Sequence, residues 1–297
     1  MLLLTGATGR VGSALLPRLV ARPDPVRCLI RDPRRLGPER VRVQIALGDL
    51  GDPASFRHAL RGVKTVVHLA ATERDQAHAT IEEIDGVATW RLLRAAERAG
   101  VERFVFLSPL CATPHHRSRV HRTKSLAERA VAESQLATTT LRCSLIYAPG
   151  DTKLALLDLL SLLPAVPVTT TMNTARVQPV WAGDVAACVA AVLDRPPRGD
   201  GGHETLDIAG PDALTFRETI EGVLRAAGRE RRLVTVPTGL LLRALHAYET
   251  VAGPVALATR DEADSLGATM LAERGTADAE ALGVTPLPIT AVLSRAA

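Results

Sequence analysis

Residues 1–12 read MLLLTGATGRVG, an apolar run that leads directly into three evenly spaced glycines, Gly6, Gly9 and Gly12. A continuous apolar run is typical of a strand buried in a parallel sheet, and residues 13–21 continue as an amphipathic helix. In this order Gly6 permits a tight turn, Gly9 lets the backbone approach a pyrophosphate, and Gly12 lets the helix pack on the strand. The free N–H groups at the start of such a helix attract phosphate. The segment therefore predicts a dinucleotide-binding βα unit rather than an ordinary turn.

Short apolar segments alternate with amphipathic ones through the first half of the chain. We predict strands at 26–30, 41–47, 63–70, 103–107 and 139–146, and helices at 53–60, 79–99 and 120–134. This alternation is typical of a doubly wound α/β fold with a parallel, Rossmann-type sheet. Residues 1–150 are accordingly predicted to form a dinucleotide-binding domain.

After residue 150 the pattern changes. A strand over 205–208 is expected to return to the main sheet, and Asp184 is a candidate N-cap for a helix over 185–193. We further predict helices at 154–163, 215–227 and 239–251, a strand at 233–236 and a polar loop at 169–172. Residues 177–210 would then belong to the first domain, whereas 151–176 and 211–297 would form a smaller, mainly helical substrate lid. The apolar helices 154–163 and 239–251 suggest an apolar pocket, although core packing explains them equally well.

Composition argues against several classes of protein. The net charge of +4 comes from 33 scattered Arg and only three Lys against 32 acidic residues, and aromatic residues make up 3% of the 297, so nucleic-acid binding is not expected. The uncharged stretch 159–175 contains two Pro and four Thr, which does not suit a membrane span. The four Cys show no C-x-x-C spacing and are predicted to be buried thiols, with no metal site and no disulfide. With no signal-peptide pattern at the start, we expect a soluble cytoplasmic protein.

A series of motifs then gives a more specific indication. In chain order they are TGATGRVG at 5–12, LIRDP at 29–33, GDL at 48–50, HLAA at 68–71, FLSP at 106–109, LRCSLIYAPG at 141–150, VQPVWAGDVA at 177–186 and LDIAGPD at 206–212. Together they resemble the extended and atypical short-chain dehydrogenase/reductases, especially NmrA-like proteins and the nucleotide-binding accessory subunit of respiratory complex I. The resemblance covers residues 1 to about 212. It implies an N-terminal part that binds NAD(H) or NADP(H) and a C-terminal part that closes over a substrate.

The residue that follows the second predicted strand bears on the choice of cofactor. An acidic residue there binds the ribose 2′-hydroxyl of NAD, but this chain has Arg31, whose guanidinium can pair with a 2′-phosphate. Arg10 in the glycine loop is a second candidate for that phosphate. Asp32 is instead predicted to be a helix N-cap, because Asp32-Pro33 places Pro at the first helical position. We therefore predict a preference for NADP(H), with NAD(H) possible and an exposed surface charge as the alternative for Arg31.

The resemblance also implies further cofactor contacts. Asp49 would accept a hydrogen bond from the adenine amino group, unless it serves as a loop cap, and Leu50 would pack on the ring. Leu69, Ala70 and Ala71 would lie along the ribose and phosphates, while His68 is expected to be a packed strand histidine. The predicted cofactor site consists of Gly6, Thr8, Gly9, Arg10, Val11, Gly12, Arg31, Asp49, Leu50, Leu69, Ala70, Ala71, Ser108 and Lys124.

The family's catalytic residues are only partly matched. Members that transfer hydride use Ser, Tyr and Lys, with Tyr four residues before Lys. Ser108 and Lys124 fit two of these positions, but position 120 is Val120, and the only tyrosines are Tyr147 and Tyr248. Lys124 could be either a ribose clamp or a catalytic group.

His121, three residues before Lys124, is the nearest substitute proton donor, although its position in a basic helix favours a solvated surface histidine. Cys111, His115 and His116 follow Ser108 and could line the pocket, although loops often collect polar residues.

Two functions from different classes remain open. The favoured one is an NADP(H)-dependent oxidoreductase that transfers hydride to a small, apolar carbonyl or conjugated substrate, with water or His121 returning the proton. The other is a catalytically silent NAD(P)H-binding redox sensor or assembly partner, which the absence of the usual Tyr favours. A sugar-nucleotide epimerase or dehydratase is less favoured, because those reactions depend on that Tyr. The protein would be a monomer, or a homodimer through helices 79–99 and 120–134.

Overall fold

The computed structural model describes residues 1–76, 79–199, 201–253 and 256–294. Its strands are β1 (Leu2–Thr5), β2 (Val26–Ile30), β3 (Gln44–Leu47), β4 (Thr65–His68), β5 (Arg103–Pro109), β6 (Ala137–Cys143), β7 (Ile146–Tyr147), β8 (Ala165–Thr169), β9 (Arg176–Val177), β10 (Val180–Trp181), β11 (His203–Ile208), β12 (Leu214–Thr215) and β13 (Arg232–Val236). Its α-helices are α1 (Arg10–Val20), α2 (Pro53–Phe56), α3 (Ala88–Arg98), α4 (Arg119–Ala132), α5 (Thr152–Leu160), α6 (Thr170–Thr174), α7 (Ala182–Asp194), α8 (Phe216–Ala226), α9 (Thr238–Ala252), α10 (Arg260–Ser265), α11 (Ala277–Ala281) and α12 (Ile289–Leu293).

Seven strands form the central sheet in the order β11-β6-β5-β4-β1-β2-β3, and all neighbouring strands are parallel. The chain leaves β1 towards β2 and β3 and then crosses to β4 on the other side, so the winding direction reverses between β1 and β4. This is the Rossmann-type doubly wound sheet that the sequence predicts. In such sheets, ligands bind outside the carboxyl ends of the strands at the point of reversal.

Side chains of the first strand alternate between the two faces of the sheet. Leu2 and Leu4 pack into a core with residues of α1 and α7, whereas Leu3 packs into a second core with residues of α2, α3 and α4. Because both faces of the strand are covered, its sequence reads as an unbroken apolar run.

The returning strand was also predicted correctly, since β11 pairs with β6 along its full length. Beyond the main sheet, β8 pairs with β13 and β9 with β12. A third apolar core lies beside these short sheets and takes most of its residues from α6, α8, β8 and the segment 266–270. In the described part of the chain, no helix is long and apolar enough to cross a membrane.

Three local predictions were wrong. Helix α7 begins at Ala182, so Asp184 is not its N-cap but lies in its first turn, where its Oδ2 accepts a hydrogen bond from the Leu287 N–H at 2.9 Å. The segment 169–172 is not a loop, because Thr169 Oγ1 accepts from the Met172 N–H at 3.2 Å and caps the short helix α6. Strand β3 starts at Gln44 rather than Val41, which ends a 3₁₀ segment, Pro33–Val41.

The helix predicted over 79–99 is present in most of its length, but it starts with a π-helical turn, Glu82–Val87, that leads into α3. Residues 77 and 78, which precede the predicted range, lie outside the described residues. Segment 53–60 likewise divides into α2 and a 3₁₀ turn, Arg57–Leu60.

Candidate functional site

The glycine loop between β1 and α1 is shaped by close backbone contacts. Gly6 has φ +73°, and a Cβ there would lie 2.5 Å from the backbone N of Ala70. A Cβ on Gly12 would lie 2.1 Å from the Gly6 carbonyl oxygen. Side chains are therefore sterically excluded at both positions, which explains the first and third glycines of the motif.

Gly9 has a different environment. It is exposed, it occupies the N-cap position of α1 without a side-chain cap, and a Cβ there would meet only the Gly6 carbonyl oxygen at 3.3 Å. The first N–H groups of this 11-residue helix lack helical partners and carry the positive end of its dipole. The loop therefore offers an open, unobstructed cradle that fits the pyrophosphate of a dinucleotide.

A cavity of about 240 Å³ lies next to this loop, at the carboxyl ends of β1, β4, β5 and β6. Ten residues of the predicted site line it: Gly6, Gly9, Arg10, Val11, Gly12, Leu69, Ala71, Ser108, His121 and Lys124. The remaining predicted residues lie outside this lining: Thr8, Arg31, Asp49, Leu50 and Ala70. The structure thus brings the candidate catalytic groups and the glycine loop to one cavity.

Arg31 and Asp49 face each other beyond the ends of β2 and β3. The Arg31 Nη1 is 3.9 Å from the Asp49 Oδ2, and both side chains are at least half exposed. The other carboxylate oxygen, Oδ1, accepts a hydrogen bond from the Gly51 N–H at 2.8 Å. Asp49 therefore does act as a loop cap, the alternative that its position in the sequence left open, and one oxygen remains directed towards Arg31.

Arg10 turns towards a different set of partners. Its guanidinium donates to the Ile146 carbonyl oxygen and to the Glu73 Oε1, each at 3.1 Å. Lys153 Nζ lies 2.5 Å from the Glu73 Oε2. Although burial raises the pKa of Glu73, the charges of Lys153 and Arg10 outweigh it and lower the pKa to about 2. This cluster was not predicted from the sequence, because its members come from three distant parts of the chain.

Lys124 forms a buried pair with Asp85. Its Nζ is 3.8 Å from the Asp85 Oδ2 and 5.1 Å from the centre of the Phe106 ring. Asp85 is fully buried on the π-helical turn, its Oδ1 accepts from the Thr72 N–H at 3.0 Å, and its Oδ2 has no hydrogen-bond partner. Burial raises the pKa of Asp85 to about 6, although Lys124 and the Thr72 N–H act in the opposite direction.

Asp85 was not predicted as a site residue, yet the sequence contains a signal for it. It occupies the apolar face of its helical segment, four residues after Ile81 and seven before Leu92, both of which are fully buried. A lone carboxylate on a buried helix face requires a partner or a functional role.

Ser108 and Val120 confirm how far this site departs from a Ser-Tyr-Lys arrangement. Ser108 is 3% exposed, and its Oγ has no hydrogen-bond partner. Val120 lies on the cavity wall where the resemblance places a tyrosine. Tyr147 is buried in another apolar cluster, and Tyr248 lies on α9 with its hydroxyl accepting from the Leu257 N–H. Among the described residues, no tyrosine lines the cavity.

His121 is 4% exposed, so the favoured prediction of a solvated surface histidine was wrong. Its Nε2 lies 3.3 Å from the Ser265 carbonyl oxygen, and its Nδ1 has no partner. Burial lowers the pKa of His121 to about 4, so the ring is neutral at pH 7. A neutral ring that donates through Nε2 presents a lone pair at Nδ1, which can accept a proton but not donate one.

The apolar side of the cavity comes from a different part of the lid than predicted. No residue of 154–163 or 239–251 belongs to its described lining. Leu266 and Met270, which follow α10, line it instead, together with Leu107 and Leu145. His68, expected to be a packed strand histidine, is fully buried and bonded to Thr5 and Thr89, as predicted.

The reversal point of the sheet, the cradle at α1 and the cavity beside it define a Rossmann-type dinucleotide-binding protein. Residues 6–196 match the family described as NAD(P)H-binding. The chain belongs to this NAD(P)H-binding family, and its motifs resemble those of the extended and atypical short-chain dehydrogenase/reductases.

Several characterised proteins are similar over most of the chain. A ceramide reductase of Caulobacter vibrioides is 29% identical over 251 residues, which cover 81% of this chain and 75% of the relative. A (4-alkanoyl-5-oxo-2,5-dihydrofuran-3-yl)methyl phosphate reductase of Streptomyces griseus is 32% identical over 243 residues, with 78% and 76% coverage. The mitochondrial NADH dehydrogenase [ubiquinone] 1 alpha subcomplex subunit 9 of Arabidopsis thaliana is 28% identical over 233 residues, with 73% and 55% coverage.

Among solved structures, the NADPH complex of the quinone oxidoreductase QOR2 from Escherichia coli superimposes with a TM-score of 0.73 over 99% of both chains. Its sequence identity is 18%, so the likeness is one of fold. The comparisons thus confirm two resemblances, one to reductases and one to the complex I subunit.

Proposed function

We propose that this protein is an NADPH-dependent reductase that transfers hydride to a small, apolar carbonyl or conjugated substrate. The observation that carries the proposal is that Ser108, Lys124 and Asp85 line the same cavity as the glycine loop. One polar atom at this cavity, Ser108 Oγ, is buried without a hydrogen-bond partner. A buried polar group without a partner costs free energy, which is consistent with Ser108 keeping its hydrogen-bonding capacity for a ligand. Asp85 Oδ2, which also lacks a hydrogen bond, is paired with the Lys124 ammonium 3.8 Å away.

The dinucleotide would be held by the open N-terminus of α1, with Gly9 and Val11 next to the pyrophosphate. Arg31 would select the 2′-phosphate of NADPH, with Asp49 Oδ2 as its neighbour 3.9 Å away in the protein. Once bound, this cofactor supplies the hydride. The prediction of NADPH over NADH therefore rests on Arg31 and not on Arg10, whose guanidinium is engaged by Glu73 and Ile146.

The protein's own residues would stabilise the negative charge that develops on the acceptor oxygen and protonate it. Ser108 Oγ–H is free to donate a hydrogen bond to that oxygen, and the Lys124 ammonium can stabilise it and supply the proton. Asp85 holds the ammonium in place and lies within the same low-dielectric wall, where charge interactions are stronger than in water. This assignment replaces His121 as the proton donor, because a neutral ring bonded through Nε2 has no proton to give at Nδ1.

The lining indicates the chemical class of the substrate. Leu107, Val120, Leu145, Leu266 and Met270 supply its apolar wall, and Val120 leaves more room than a tyrosine would. A compact acceptor with one polar oxygen and an apolar body matches this distribution.

The experiment is a screen of carbonyl and enone substrates with NADPH, followed by kinetics of the wild type and Ser108→Ala. We expect Ser108→Ala to reduce kcat/KM about 100-fold, whereas Ser125→Ala, a neighbour of Lys124 outside the lining, leaves it unchanged. An equal loss in both variants would contradict the role given to Ser108.

A second candidate is a catalytically silent NAD(P)H-binding protein, and Val120 at the tyrosine position is the observation that favours it. One of the relatives, the mitochondrial NADH dehydrogenase subunit of Arabidopsis thaliana, is a subunit of a larger complex. This candidate predicts tight NADPH binding, no turnover of any screened substrate, and no effect of Ser108→Ala on binding.

A further inference from the structure

Three potential metal-binding side chains meet in the connection between β5 and α4. Cys111 follows the end of β5, His116 lies in the loop, and His121 is in the first turn of α4. One ligand atom from each lies within 4.8 Å of the other two. The imidazoles of His116 and His121 are in edge-to-face contact, with ring centres 4.6 Å apart. The three residues are five positions apart in the sequence, so a search for a C-x-x-C metal motif does not find them.

One of these groups is a buried donor without a partner. His121 is 4% exposed, its Nε2 is engaged with the Ser265 carbonyl oxygen at 3.3 Å, and its Nδ1 has no hydrogen-bond partner. A metal-binding histidine commonly donates its other ring N–H to a carbonyl, which fixes the ring and its tautomer. The Ser265 contact has this form, so the Nδ1 lone pair is held ready for a ligand.

The other two side chains, the Cys111 thiol and the His116 imidazole, are ligand types that borderline-soft metal ions prefer. Cys111 is 9% exposed and forms part of the wall of the third core. His116 is partly exposed, and its Nδ1 accepts from the Ser118 N–H at 3.0 Å. A neutral imidazole has one free ring lone pair, so coordination by His116 would exchange this hydrogen bond for the metal bond. Burial lowers the pKa of both imidazoles, so both rings are neutral at pH 7 and able to coordinate a metal; the Asp264 carboxylate opposes this shift at both rings, and Arg122 and Arg117 add to it at His116.

We propose that Cys111, His116 and His121 form a binding site for Zn²⁺ or a similar borderline-soft divalent ion. One thiolate and two imidazoles are typical zinc ligands, and three protein ligands leave a fourth position open. On binding, the Cys111 thiol loses its proton to solvent and the sulfur coordinates as thiolate. Because His121 lines the cavity and contacts Ser265, the ion would lie beside the cavity wall and link the β5–α4 connection to α10.

Cobalt is the probe for this site, since Co²⁺ replaces Zn²⁺ and reports its ligands by absorption. Full-length protein, stripped with a chelator, is titrated with Co²⁺ and then with Zn²⁺. We expect one equivalent to bind, with a thiolate-to-cobalt charge-transfer band in the near ultraviolet that Zn²⁺ abolishes. The band should disappear in Cys111→Ser, and binding should be lost in His121→Gln.

Two matched controls define the site. His115→Ala removes an exposed histidine of the same loop, and Cys188→Ser removes a buried thiol elsewhere; both should keep the band. Absence of binding in the wild type, a band that survives in Cys111→Ser, or its loss in His115→Ala would overturn the proposal. Circular dichroism checks the folding of each variant, and Cys111→Ala and His121→Gln serve if Cys111→Ser unfolds. NADPH titration of the same samples keeps this result separate from the proposed reductase activity.

Discussion

Lys124 and Asp85 form a buried ion pair, with 3.8 Å between Nζ and Oδ2, on the wall of the cavity that the glycine loop shares. A second Lys–acid pair, Lys64 with Glu102, lies at the surface with 3.1 Å between its charged atoms and both side chains more than half exposed. The shorter distance belongs to the exposed pair, so distance alone does not rank the two. Burial decides the ranking, because desolvation makes an unpaired buried charge costly.

Replacing Asp85 by Asn should therefore leave the buried Lys124 ammonium without its counterion. We expect Asp85→Asn to lower the free energy of unfolding by about 3 kcal/mol, and to reduce the reductase kcat. The control, Glu102→Gln, breaks the exposed pair and should cost less than about 1 kcal/mol. Urea unfolding followed by circular dichroism measures both. Equal costs for the two variants would show that the cavity-wall pair is no more than a surface-type contact.

His68 gives the stability a predictable pH dependence. Burial, and to a lesser degree the charge of Lys124, lower the pKa of His68 from 6.5 to about 3. Between these values the unfolded chain binds one more proton than the folded protein at this position, so its contribution to stability rises with pH. The contribution is complete above about pH 6.5 and declines as the pH falls towards 3.

The measurement is the free energy of unfolding from pH 4 to 7.5 for the wild type and His68→Asn. The free energy of unfolding of the variant should rise less steeply with pH. The difference in slope should be up to about 1.4 kcal/mol per pH unit, the value for one proton. His115→Ala, an exposed control, should keep the wild-type slope. An unchanged slope in His68→Asn would mean that His68 is not buried in its neutral form.

Gly9 and Gly12 should respond differently to the same substitution. Gly12→Ala places a Cβ 2.1 Å from the Gly6 carbonyl oxygen, so we expect a loss of about 3 kcal/mol in the free energy of unfolding. Gly9→Ala meets only that oxygen at 3.3 Å and should fold normally. It should nevertheless weaken NADPH binding about tenfold, or about 1.4 kcal/mol, because the methyl group enters the phosphate cradle. Thermal unfolding and fluorescence titration separate these effects, and normal cofactor affinity in Gly9→Ala would remove the loop from the binding site.

The sequence was sufficient where local pattern and fold agree. The apolar run of β1 and the three glycines predicted the strand, the turn and the helix, because each requirement is set by contacts within a few residues of the motif. The return of β11 to the main sheet followed from the same alternation of apolar segments.

Predictions failed where a tertiary contact determines the outcome. Asp184 has the residue type of an N-cap, but its carboxylate is used by the distant Leu287 N–H. Residues Arg10, Glu73 and Lys153 converge only after the sheet is assembled, and the lid contributes Leu266 and Met270 to the cavity rather than its most apolar helices. Such contacts leave no periodic signal in the sequence.

Arg31 should determine cofactor preference, and its exposure makes the test free of folding effects. With 61% of its side chain exposed and Asp49 Oδ2 at 3.9 Å, the guanidinium makes no buried contact that the protein needs. We expect Arg31→Ala to weaken NADPH binding at least about tenfold, or about 1.4 kcal/mol, and to leave NADH affinity unchanged, since only the 2′-phosphate is lost as a partner. Arg34→Ala, an exposed arginine in the following 3₁₀ segment, is the matched control and should bind both cofactors as the wild type does. Parallel losses for NADPH and NADH in Arg31→Ala would instead assign Arg31 a general role in holding the adenosine half and leave the choice of cofactor to other residues.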